Sequence, residues 1–165
     1  MKKLAYLLLI MCFAFNVRAQ TDSVSIPVYK RFPELPKFSI MTLPDSTLFT
    51  REDLHKKKPI IIMLFSPDCE HCKHAMRDLI AGYDQWKKAD LILVTSLEFE
   101  HIRKFYSEFK LAEYPNIVIG RDGGFNLGSF YKLHQYPSIY VYNKKHEFVT
   151  EFIGSVNTEE LGKAL

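Results

Sequence analysis

Cysteine is scarce in this chain: Cys12, Cys69 and Cys72 are the only three in 165 residues. No disulfide framework can be built from so few. Internal repeats and low-complexity tracts are absent, which excludes solenoids and compositional linkers. A long apolar run is missing too. Leu4–Phe15 is almost unbroken but falls short of the ~20 residues that a spanning helix needs. Lys2 and Lys3 precede it and Val17-Arg18-Ala19 closes it with a small residue. That is the layout of a secretory signal peptide, placed at residues 1–19. Cys12 lies inside the apolar run behind Ile10 and Met11, not after small residues at a cut, so lipidation is not expected.

Cleavage also removes the charge imbalance. The chain carries 22 bases and 19 acids, and loss of Lys2, Lys3 and Arg18 leaves 19 of each. The net +3 therefore belongs to the leader, and no basic footprint for nucleic acid remains. No membrane span is expected after cleavage. The mature chain keeps only Cys69 and Cys72, in a compartment that oxidises or exchanges thiols.

Apolar residues make up 47%, and the length suits one domain. Residues 20–37, with Pro27, Pro33 and Pro36, read as an extended arm or linker, and residues 38–165 as the domain. Phe38–Leu43 and Thr47–Thr50 predict an N-terminal hairpin about the turn Pro44-Asp45-Ser46. Arg51–His55 predicts a helical turn and Lys56-Lys57-Lys58 a solvated connector. Ile60–Phe65 is continuous and β-branched, as in a strand covered on both faces. A helix follows from Cys69, with Cys72, Met76, Leu79, Tyr83 and Trp86 on its apolar stripe. Leu91–Thr95 predicts a strand, Phe99–Phe109 a helix, Asn116–Ile119 a strand and Phe125–His134 a helix. Pro137–Tyr142 and Glu147–Ile153 predict a final hairpin, and Asn157 caps a short helix. Alternating strands and helices ending in a hairpin define an α/β domain with a central mixed sheet.

Chemistry concentrates in SPDCEHCKH, residues Ser66–His74. Three readings fit these side chains. Cys69 and Cys72 form a redox pair; or Cys69, Cys72, His71 and His74 handle zinc or copper; or the pair is a structural disulfide in a binding module. His71 lies between the cysteines and tends to point away from them. His101, His134 and His146 are scattered singly and read as surface histidines, so a second ligand pair is not evident. The CxxC loop is too short for a disulfide to add much stability, which argues for reactivity. A Pro-x-x-x-Thr-x-x-Cys setting is missing, against a thiol peroxidase.

Strand, CxxC at a helix start, and a distant proline opening the last hairpin resemble the thioredoxin fold. KKKPIIIMLFSPDCEHC, LPKF and YPSIYVYNKKHEFVTEFIG are similar to segments of the exported TlpA/ResA-like (AhpC/TSA-related) thiol–disulfide oxidoreductases. About sixty residues between Cys72 and Pro137 match that branch, which adds a central insertion. The resemblance implies a central mixed sheet flanked by helices, with Cys69 attacking and Cys72 resolving. It makes Pro137 the cis-proline candidate and Tyr136 the residue offering its backbone to an extended substrate. Tyr114-Pro115 is a rival without a following hairpin. It implies no cofactor and no metal. Its partners would be protein thiols or disulfides and an upstream electron donor or acceptor. Its location would be the periplasm or cell envelope of a Gram-negative-type bacterium. Three positions depart from the pattern: Met63 replaces a buried aspartate, Ala75 a glutamate, and Asp68 a tryptophan.

A thiolate performs the exchange, and a helix N-terminus favours the anion at Cys69. His71, when protonated, stabilises it further, whereas Asp68 and Glu70 repel it. The expected potential falls between the strong reductants and strong oxidants, ~−270 to −120 mV.

Overall fold

The structure is a computed structural model that describes residues 26–165. The predicted leader and the start of the arm lie outside the described residues. Seven strands form one sheet: β1 (Ser39–Thr42), β2 (Leu48–Thr50), β3 (Ile60–Leu64), β4 (Asp90–Thr95), β5 (Ile117–Arg121), β6 (Ser138–Tyr142) and β7 (Phe148–Ile153). Their order is β2-β1-β5-β4-β3-β6-β7. β3, β4 and β5 run parallel, while β6 and β7 continue antiparallel on one side and β1 and β2 on the other. The helices are α1 (Val28–Arg31), α2 (Glu70–Ala81), α3 (Tyr83–Trp86), α4 (Phe99–Glu108), α5 (Asn126–Tyr131) and α6 (Thr158–Lys163).

β3 and β4 are buried along their whole length, as their unbroken apolar runs require. Side chains alternate across the sheet. Ile61, Met63, Ile139 and Val141 point to one face, where α2, α4 and α6 bring Met76, Leu79, Phe105 and Leu161. Ile60, Ile62, Leu64, Tyr140 and Tyr142 point to the other, covered by Tyr29 of α1 and by Leu127 and Tyr131 of α5. The fold is three-layered, with one core on each face of the sheet.

Several local readings shift. The arm segment from residue 26 to 37 is not wholly extended. It includes α1, buries Tyr29 and Leu35, and hydrogen-bonds to the last hairpin. Phe148 N–H donates to the Pro33 carbonyl and Leu35 N–H to that of His146. The turn at Arg51–Asp53 is a 3₁₀ helix. Lys58 is not merely solvated: its Nζ lies 3.2 Å from the buried Asp90, whose other oxygen meets His55 Nδ1 at 2.7 Å. α5 stops at Tyr131 because Lys132 takes a left-handed conformation, φ 52°.

Candidate redox site

β3 lies between β4 and β6 in the sheet, and its carboxyl end feeds the site. Ligands of open α/β sheets gather at that end. Phe65 N–H still bonds the Val94 carbonyl, and then Ser66-Pro67-Asp68 turns the chain. Cys69 N–H donates to the Ser66 carbonyl at 3.1 Å, and Cys69 is the N-cap of α2 with extended backbone, φ −90° and ψ 119°. Its position places it where the helix presents unpaired amides and the positive end of its dipole. Cys69 is half-buried and Cys72, one turn on, is fully buried; both are free thiols. Burial pushes the Cys72 thiol up to about 12. The Ser66 backbone bond counters this in part, while Cys69 beside it adds to the rise.

The second wall comes from β6. Its antiparallel register with β3 pairs Ser138 with Leu64. Continuing that register outward places Pro137 level with Phe65 and Tyr136 level with Ser66. The Tyr136–Pro137 peptide bond is cis, as is Leu43–Pro44; Tyr114–Pro115 is not among the cis bonds. Pro137 is buried and its carbonyl accepts Gly154 N–H at 2.8 Å. Tyr136 packs against the cluster that holds Cys72; burial first, and the cysteine's charge second, raise its phenol, while Ser96 counters. Tyr136, Ser96, Leu64, Asp122 and Phe125 border a small notch of about 10 Å³ at the ends of β3 and β4.

The flanking charges are arranged differently from their expected part. Asp68 and Glu70 are exposed, and each has a basic side chain beside it. Asp68 Oδ2 lies 2.8 Å from Nδ1 of His101 on α4. Glu70 lies 3.2 Å from Lys73 Nζ, which also approaches Glu108 at 3.9 Å. His71 and His74 are exposed. Among the described residues, no three histidine, cysteine or acidic side chains converge in a group able to hold a metal ion. Met63 and Ala75 are fully buried in the same cluster as Cys72 and bring it no carboxylate.

Three histidines read as isolated surface groups behave otherwise in two cases. His101 joins the site through Asp68. His146 turns with φ 61° and buries its Nε2. Nothing in the local sequence marks the His101 contact, which spans a strand and two helices.

No protein-family model and no curated protein matches the chain in sequence. Solved structures do match it in shape. A secreted Mycobacterium tuberculosis disulfide oxidoreductase homologous to Escherichia coli DsbE is 17% identical, with 77% of this chain and 92% of that one covered at a TM-score of 0.63. StoA from Bacillus subtilis is 19% identical, with 78% and 96% covered at 0.59. The thioredoxin domain of a Bacteroides vulgatus thiol–disulfide oxidoreductase is 17% identical, with 78% and 91% covered at 0.64. The chain has the thioredoxin-like α/β fold that these proteins share.

Proposed function

We propose that the chain is an exported thiol–disulfide oxidoreductase working through Cys69 and Cys72. One observation carries this reading: a half-buried cysteine at a helix N-cap stands against a fully buried one, opposite a cis Tyr136–Pro137 bond. In the reduced protein the Cys69 thiolate attacks a substrate disulfide. One sulfur bond forms, one breaks, and the first substrate thiolate leaves. Cys72 then loses its proton and attacks Cys69 Sγ, releasing the second substrate thiolate. Two electrons pass to the substrate, and an upstream dithiol must return them. The reverse sequence oxidises a substrate dithiol. Burial that raises the Cys72 thiol keeps it protonated until the mixed disulfide exists, so Cys69 attacks first.

An extended substrate segment would lie along the backbone of Tyr136, and Glu70, His71 and Asp68 would tune the thiolate. The leader layout at residues 1–19 supports export to a periplasm or cell envelope. The Cys72→Ser variant tests the reading. Expressed in its native compartment, it accumulates partner proteins as mixed disulfides that a thiol reductant releases. The Cys69→Ser/Cys72→Ser double variant captures none. If Cys72→Ser captures nothing and the wild type does not reduce insulin disulfides, the proposal fails.

A further inference from the structure

The acids on either side of Cys69 are compensated from different places. Glu70 is answered from its own helix by Lys73, three residues along. Asp68 is answered from α4 by His101, with Nδ1 2.8 Å from Oδ2. Around this contact stand Glu100 and Lys104 of the same helix, themselves paired at 2.9 Å. Lys104 also senses the charge of Asp68. An uncompensated carboxylate one residue before Cys69 opposes a negative sulfur; a compensated one opposes it less.

We propose that His101 is a positioning residue for the thiol chemistry: it acts through Asp68, holding that carboxylate oriented and its charge answered, and thereby favours the Cys69 thiolate. The proposal rests on the oxidoreductase reading. It assigns part of the redox balance to a residue outside the CxxC segment. The sign follows directly. A better stabilised thiolate favours the dithiol form, so His101 makes the protein more oxidising, and its loss makes it more reducing.

The test is equilibration with glutathione, in which the protein disulfide and two glutathione molecules give the protein dithiol and glutathione disulfide. His101→Gln lowers the constant for reduction roughly two- to fivefold, the range of an exposed ion pair. That corresponds to a potential ~9–21 mV more negative. The same variant slows alkylation of Cys69 by a similar factor. His101→Lys, which supplies a permanent cation, restores both readouts. In the Asp68→Asn background, His101→Gln has no further effect. An unchanged constant in a folded His101→Gln variant overturns the proposal. So does an equal effect in the Asp68→Asn background, or an equal effect of Lys104→Gln, which would assign the effect to the general field of α4. If the wild type itself does not equilibrate with glutathione, the oxidoreductase reading fails, not the assignment of His101 alone.

Discussion

The two faces of the sheet bury different polar groups. On the face covered by α1 and α5, four tyrosines gather and the hydroxyls of three of them are hydrogen-bonded. Tyr131 and Tyr142 share a 2.6 Å hydrogen bond, and Tyr29 donates to Glu151 at 2.6 Å. Tyr131 stacks on Tyr140 with centroids 3.7 Å apart. On the face covered by α2 and α4, packing is aliphatic and aromatic, and Cys72 has only Cys69 and the Ser66 backbone to turn to. Matched hydroxyls hold structure together. A buried thiol with weak partners is free to change its bond. On the proposed function, the difference separates a face that stabilises from a face that reacts.

On the proposed function, breaking the thiol side should give the largest effect. Cys69→Ser is expected to reduce insulin exchange to the uncatalysed background while leaving the melting temperature near that of the reduced wild type. Next comes the packing around the site. Leu79→Ala, in the buried last turn of α2, is expected to cost about 2–5 kcal/mol in denaturant unfolding. Trp86 reports it well, because its indole N–H donates to the Leu79 carbonyl at 2.8 Å and it is the only tryptophan. Tyr131→Phe leaves the Tyr142 hydroxyl without its partner and should cost about 1–3 kcal/mol. Exchange measured below the unfolding transition should not change. Equal losses of exchange in Tyr131→Phe and Cys69→Ser would erase the contrast between the faces.

The gentlest test is alkaline titration. Burial pushes Tyr140 up to about 12, and Tyr29, Tyr131 and Tyr142 are raised as well. A phenol raised by folding adds stability that is fully present below its unfolded value near ~10. That stability drains as pH climbs through the folded value. Stability should therefore be flat up to about pH 10 on this account and fall towards pH 12, with delayed tyrosinate absorbance. Tyr131→Phe should lessen the fall.

Much of the fold could be read from local pattern. Ile60–Phe65 and Leu91–Thr95 are long enough apolar runs that only a doubly covered strand suits them, and both are fully buried. The helix after Cys69 follows from its three- and four-residue stripe, and Pro137 from its place before the last hairpin. The two cysteines could be assigned to a strand-to-helix corner because sequence neighbours decide that geometry. The partner of Asp68 could not, since His101 arrives by tertiary packing and a lone histidine has no period. Docking of the arm was hidden for a similar reason. Tyr29 and Leu35 sit singly among prolines and charges, so no stripe announces that they are buried.

That docked arm has a consequence at the rim of the sheet. β7 is an outermost strand, and such a strand normally exposes a row of backbone donors and acceptors to any passing chain. Here the bridge between Glu34 and Glu147, the Phe148 amide bound to Pro33 and the Leu35 amide bound to His146 occupy the start of that row. Lys30 and Glu151 add a charged clasp at 2.6 Å over the next stretch. The start of this edge is thereby closed to strand addition, which on the proposed function would leave a client chain to approach at the cysteines instead.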